Sequence, residues 1–156
     1  MEKFILFWSG PFSQWYPSEF TEEITDKKFN CAEQYMMYKK AMFFNDQETA
    51  DKIMIDSSPK GQKKLGRNVK GFDSRLWDQI KKDVVRLGNK MKFTQNPKLL
   101  EKILTTEGTF VEASPYDTVW GVGLSENDPD ILDRTKWKGE NLLGQILTEL
   151  RDELKK

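Results

Sequence analysis

The residues best placed to do chemistry lie in the stretch 30–44, NCAEQYMMYKKAMFF. It reads as a helix with a start signal: Asn30 as N-cap and Glu33 three residues on, where a capping box wants its acid. At about 100° per residue, Glu33, Met37, Lys40 and Phe44 share one stripe, while Lys39 points about 120° away from Glu33. Of the two adjacent lysines, only Lys40 faces the same way as the acid. A carboxylate and an amine two turns apart on one face can work on the two ends of one bond, the acid moving a proton and the amine attacking. The plainer alternative is that Glu33 caps the helix and Lys40 is solvated.

Two absences narrow the chemistry. The chain has no histidine, which excludes Ser-His and Cys-His nucleophile pairs, a histidine base and a histidine metal site. Cys31 is the only cysteine, so an internal disulfide and a thiolate cluster are excluded as well. Its place beside the N-cap would lower a reactive thiol's pKa, but a small buried cysteine is the simpler reading. Any catalysis therefore rests on carboxylates, Lys, Arg, Tyr or hydroxyls, or on a metal held by oxygen.

Three glycine-containing turns are further candidates: LGR (65–67), WGVG (120–123) and KGENLLG (138–144). Arg67, just past what reads as a helix-ending glycine, offers a fork suited to phosphate or carboxylate. KGENLLG opens a helix after a glycine and would present N–H groups to an anion. Asp117, between a proline turn and an apolar run, is either a sugar-hydroxyl ligand, a second carboxylate beside Glu33, or an Asx-turn residue. The loop SGPFSQWYPSEF carries Phe12, Trp15, Tyr16 and Phe20, which either pack as a lid or stack on a ligand.

The elements that must position these residues follow from periodicity and punctuation. With 156 residues and 19 aromatics (10 Phe, 5 Trp, 4 Tyr), one domain with a real core is expected, and disorder is not. The formal net charge of zero argues against a continuous basic groove for nucleic acid, though not against a local basic pocket. No apolar run is long enough for a membrane span, and MEKFILFW lacks the features of a secretory signal. Strands are expected at 3–8, at 109–114 and at 118–123, with a short strand or turn at 21–29. Helices are expected from Asp46 to about 56, from Ser58-Pro59 to a stop at Gly66, over 73–93, from Asn96-Pro97 to Gly108, and at the C-terminus. The longest of these, with Leu76, Trp77, Ile80, Val84, Leu87 and Met91 inward and lysines outward, reads as scaffold.

Taken together, AEQYMM with Lys40 downstream, LGR, KFTQNP (92–97), EASPYDTVWGVGL and WKGENLLG followed by LRDEL resemble the NADAR superfamily, also called YbiA-like. The matching blocks run from about Phe7 to Leu154. The resemblance implies an α+β fold: a single compact YbiA-like domain over residues 1–156, mostly helical with a small β-sheet. It implies an N-glycosidase that cleaves a base–ribose bond, in one branch of riboflavin-biosynthesis intermediates and in the other of ADP-ribosylated guanine. The family's lysine, thought to form a Schiff base with the ribose, falls on Lys40, its helix glutamate on Glu33 and its aspartate before WG on Asp117. Substrate-binding positions fall on Ser13, Trp15, Tyr16, Tyr35, Arg67, Trp120, Gly121 and Asn141, and Glu33, Lys40, Arg67, Asp117 and Asn141 are expected to line one pocket. Neither cofactor nor metal is implied. The partner would be a small-molecule nucleotide or an ADP-ribosylated guanine, free or within nucleic acid, with no membrane and a cytoplasmic setting. The chain departs from the family's usual SNF at Ser13-Gln14-Trp15 and from QAxKF at Met37-Tyr38-Lys39-Lys40-Ala41. A non-catalytic binder of ADP-ribose-like nucleotides is the alternative.

Overall fold

The computed structural model describes residues 2–156, so Met1 lies outside it. In chain order the elements are β1 (Phe4–Phe7), β2 (Phe20–Glu22), β3 (Lys27–Phe29), α1 (Ala32–Phe43), α2 (Gln47–Ile55), α3 (Pro59–Arg67), α4 (Ser74–Thr94), α5 (Pro97–Thr105), β4 (Thr109–Glu112) and α6 (Leu142–Leu154). Two 3-10 turns, Pro129–Leu132 and Arg134–Lys136, precede α6. The architecture is the mostly helical α+β type, with its four short strands in two separate two-stranded sheets. The backbone forms two compact units: a middle unit, Gln14–Pro97, and a terminal unit made of the chain up to Ser13 together with Lys98–Lys156.

The middle unit is built around α1. Eight of its residues are buried, from Ala32 through Tyr38 plus Ala41, because α2, α3, α4 and β3 all pack on it. A helix covered on most sides loses its amphipathic stripe. Two glycines set how closely its neighbours approach. A Cβ on Gly66 of α3 would overlap the Met37 thioether, and one on Gly88 of α4 would sit 2.7 Å from the Tyr35 ring. Gly66 is therefore an interior glycine chosen for close packing, not the helix stop that its position suggested; α3 runs on through Arg67 and ends at Asn68.

The starts of α2, α3 and α4 are as expected. Asp46 accepts from the Thr49 N–H, Ser58 from the Gly61 N–H with Pro59 following, and Asp73 from the Arg75 and Leu76 N–H groups. The start of α1 is not. Its N-cap is Cys31, which makes no side-chain cap, so Glu33 stands one position short of the capping-box site. Gln34 stands at that position instead, and its Oε1 accepts from the N–H of Asn30, one residue before the cap, at 2.8 Å. The buried stripe of α4 is also displaced by about one residue from the expected one. Trp77, Val85, Gly88, Asn89, Lys92 and Phe93 are buried, whereas Leu76 and Leu87 are 45% and 49% exposed. In the 21–29 segment the turn and the strand both occur: β2 and β3 pair antiparallel, Phe20 opposite Phe29.

In the terminal unit β1 runs parallel to β4, with Phe4 opposite Thr109 and Phe7 opposite Glu112. α6 covers β4 through Leu143, Ile146, Leu147 and Leu150, all essentially inaccessible. Val111, Ala113, Val122, Leu124 and Ile131 form a second core cluster flanked by Phe4, Leu6 and Trp137. The segment 118–123 is not the strand its alternation suggests. Its carbonyls face the start of α6: Thr118, Gly121, Val119 and Trp120 accept from the N–H groups of Glu140, Asn141, Leu142 and Leu143 in turn, at 2.9–3.1 Å. The backbone groups that a strand would offer a neighbour are spent on anchoring a helix. Among the described residues no helix is long and apolar enough to cross a membrane.

Candidate active site

α1 carries the candidate chemistry on one side and its anchorage on the other. Glu33, on the first turn, is 6% exposed, and its N–H donates to the Gln14 carbonyl at 3.0 Å. Lys40, two turns on, is half-buried. Its amine lies 4.5 Å from the centroid of the Phe72 ring. Burial pushes the Lys40 pKa below the ordinary lysine value; the Glu33 carboxylate raises it and the Arg67 guanidinium lowers it again. The three side chains thus feel one another, and the net effect favours the neutral amine that a nucleophile needs. Arg67 is exposed at the last turn of α3.

Lys39 has a different task. Its Nζ is 2.7 Å from Glu22 Oε2 on β2, and the Tyr35 hydroxyl donates to the same oxygen at 3.1 Å. Burial raises the Glu22 pKa, but the bonds from Lys39, Thr25 and Tyr35 outweigh it and hold the carboxyl below its ordinary value. Tyr35, expected at a substrate-binding position, lies in the core of the middle unit. It is 1% exposed, packs against Phe20 and Phe29 at 5.9 and 5.1 Å, and its phenol is pushed beyond the normal range by burial and by Glu22. It holds the β2–β3 hairpin to α1 and has no surface to offer a ligand.

The aromatic loop divides between core and surface. Phe12 and Phe20 are buried, while Trp15 is 42% exposed with the Lys63 amine 6.0 Å from its ring, and Tyr16 is half-buried. The sequence reading passed over Lys92. It is inaccessible on α4, its amine 5.8 Å from the Tyr16 ring and 4.9 Å from that of Phe93, and burial pushes its pKa down to about 7. Its burial follows from the displaced stripe of α4, which sets it seven residues, two helical turns, after the buried Val85. Cys31 is buried with its thiol pushed up to about 11, by burial first, and its Sγ meets Gln62 Oε1 at 3.3 Å. It is a packed residue rather than a reactive one.

In the terminal unit the candidate residues are structural to a greater degree. Asp117 Oδ1 accepts from the Val119 and Trp120 N–H groups at 2.9 and 2.8 Å, the Asx-turn alternative. Asn141 is 2% exposed in the left-handed conformation, φ 56°. Its Oδ1 accepts from the Glu112 N–H and its Nδ2 donates to the Phe110 carbonyl, both at 3.0 Å, clamping α6 to β4. With its amide committed to that strand, Asn141 is a fold residue. The N–H groups of Leu142 and Leu143 are taken by carbonyls, so the start of α6 does not present them to an anion as expected. Gly121 is buried, and a Cβ there would sit 2.9 Å from the Glu112 carbonyl, which explains the glycine by close backbone approach. Ser13 is 9% exposed, with its N–H on the Gly10 carbonyl, and Trp120 is half-buried.

This fold and these residues define an α+β domain of the NADAR class, and comparison with known proteins agrees. The NADAR domain model matches residues 6–155, and the chain belongs to that family. It is 44% identical over 146 residues to the N-glycosidase R617 of Acanthamoeba polyphaga mimivirus, covering 91% of this chain and 86% of that protein. It is 33% identical over 112 residues to the chloroplastic riboflavin biosynthesis protein PYRR of Zea mays, covering 69% of this chain but 16% of that protein. The NMR structure of the Escherichia coli protein YbiA superposes with a TM-score of 0.79 at 28% identity, over 99% of this chain and 86% of that one.

Proposed function

We propose that Glu33 and Lys40 are the acid–base and nucleophilic groups of an N-glycosidase that cleaves the bond between a base nitrogen and ribose. The chain is a hydrolase of N-glycosyl bonds, in keeping with its family and with the N-glycosidase R617 that it resembles over most of both lengths. The observation that carries the residue assignment is the Lys40 amine, half-buried on the Glu33 side of α1 and held below the ordinary lysine pKa by burial and by Arg67 against the opposing pull of Glu33.

The reaction follows from those groups. An N-riboside opens its sugar ring to an imine between C1 and the base nitrogen. The neutral Lys40 amine adds to C1, forming a C–N bond, as the C1–nitrogen π pair moves onto the base nitrogen and one lysine proton passes to it. Glu33, as the carboxylic acid, protonates the base nitrogen; the C1–base bond breaks with its electron pair on the departing nitrogen, leaving a Lys40 Schiff base. Water then adds to C1 as the Glu33 carboxylate takes its proton, and collapse frees the amine and the sugar aldehyde. One water is consumed, and the free base and the phosphate-bearing sugar are released. Arg67, exposed and with a charge that reaches the amine, supplies a fork for a phosphate on the sugar, and the exposed ring of Trp15 offers a surface for a stacked base or adenine.

Two substrate classes fit: ADP-ribosylated guanine and a phosphoribosylated intermediate of riboflavin biosynthesis. The likeness to a riboflavin biosynthesis protein, partial as it is, supports testing the second. Incubating the pure chain with one conjugate of each class and following release of free base tests the proposal. Release by the native chain and none by Lys40→Ala is expected. Tight binding of either conjugate without release would make the chain a nucleotide binder instead.

A further inference from the structure

We infer that Phe72 is a base-recognition residue of the Lys40 site, a platform on which the departing heterocycle stacks. The inference rests on the Lys40 assignment and deepens it. Phe72 stands in the short connection between Asn68, which ends α3, and Asp73, which caps α4. Its ring is 44% exposed, a large apolar surface in a chain whose residues are 32% charged. It is also held: the Phe44 ring meets it edge-on at 5.4 Å and 66°, and Phe43 meets Phe44 at 5.0 Å and 85°. Both supporting rings come from the C-terminal end of α1, the helix that carries Lys40. An exposed ring braced by one neighbour, which is itself backed by a second, is a prepared surface rather than a loosely placed side chain.

The distance to the amine makes this surface part of the reaction. Nζ of Lys40 lies 4.5 Å from the Phe72 centroid. At attack the amine must come within about 3–3.5 Å of C1. The base is joined to C1 by one bond, so its ring centre lies a few ångströms further on. Stacked or tilted aromatic pairs have centroids about 4.5–7 Å apart. A base attached to the carbon that Lys40 attacks can reach stacking range of Phe72 when it leaves C1 toward that ring. Arg67, whose charge reaches the same amine, marks the side suited to an anion. The pair selects an aromatic heterocycle N-linked to a ribose that carries phosphate, in preference to a ribosyl conjugate of an aliphatic amine.

The test measures binding in the Lys40→Ala background, where no turnover intervenes, with two probes: ADP-ribosyl-guanosine, and ADP-ribose, which lacks only the departing guanosine. Adding Phe72→Ala should weaken the conjugate about tenfold or more, as loss of one aromatic stacking partner does. It should leave ADP-ribose within about twofold, and Phe72→Trp should retain the conjugate. Equal weakening of both probes would assign Phe72 a purely structural role, and no weakening of either would place the base elsewhere; each overturns the inference. If Lys40→Ala abolishes turnover while Phe72→Ala leaves conjugate binding intact, the catalytic assignment stands and this one falls. A chain that neither cleaves nor binds the conjugate contradicts both.

Discussion

The two ends of α1 and the start of α6 use similar residue types for opposite purposes. At α6, Asn141 gives both ends of its amide to β4, and the preceding turn gives Asp117 Oδ1 to two backbone N–H groups. On α1, the Lys40 amine faces an aromatic ring and two charges, half-exposed and depressed in pKa. Its neighbour Lys39 shows the contrast within a single helix: one residue away, it is locked at 2.7 Å to Glu22. Motif membership does not separate these cases, since all belong to blocks that resemble the family. What separates them is whether the polar atoms are already satisfied by backbone or counter-charge, because a group so committed has to be freed before it can act on a substrate.

That contrast can be broken in order of decreasing effect. Lys40→Ala should reduce base release to background, with thermal stability little changed, as measured by single-turnover kinetics and thermal melts; Lys40→Arg should be equally inactive, because a guanidinium stays protonated. Glu33→Gln should keep the fold and slow turnover by about 10²–10⁴. Since Gln34 rather than Glu33 occupies the capping position, the loss should appear in the rate and not in the melting temperature. Asn141→Ala should do the reverse. It leaves the Glu112 N–H and the Phe110 carbonyl without their partner at a buried site, costing roughly 2–4 kcal/mol in denaturant unfolding, while activity per folded molecule persists. An inactive but fully stable Asn141→Ala would move that residue into the site and dissolve the comparison.

Lys39→Ala should be nearly silent in turnover and cost about 1 kcal/mol of stability, the pair being partly solvated. The loss carries a pH signature. Glu22 is held below its ordinary value of 4.5, so its pairing stabilises the fold above that pH and the benefit disappears as pH falls through the lowered folded value. The stability gap between native and Lys39→Ala should close in acid. Lys92 has the opposite sign. With a folded pKa near 7 against an ordinary 10.5, the unfolded chain binds more protons between those values, so stability should climb with pH across that window. Lys92→Met should flatten that climb, measured as the difference between the two proteins' urea midpoints at pH 7 and pH 10.

Asp46, Ser58-Pro59 and Asp73 were legible as helix starts because capping is local, a side chain reaching a backbone N–H two or three residues on. The separation of Lys39 from Lys40 was legible because helical geometry is also local. Gly66 was misread as a helix stop because its reason, the Met37 side chain, lies on another helix. Segment 118–123 was misread as a strand because its partner is the start of α6 some twenty residues downstream rather than another strand. Tyr35 sat inside a recognisable block, yet only the Glu22 contact from the hairpin shows what it does. Phe72 belonged to no block at all, and its significance comes from the amine that the fold places above it.

The central claim is that the Lys40 amine is the covalent catalyst, and trapping tests it most directly. Borohydride added during turnover of a cleaved conjugate, followed by proteolysis and peptide mass spectrometry, reduces any Schiff base to a stable ribosyl-lysine and locates it. The structure offers three lysines close enough in sequence or environment to be confused, Lys39, Lys40 and Lys92, and their peptides can be resolved by fragmentation. An adduct on Lys40 alone, absent from Lys40→Ala and retained in Lys39→Ala, is the predicted result. An adduct on Lys39 or Lys92, or none while base is being released, would contradict it.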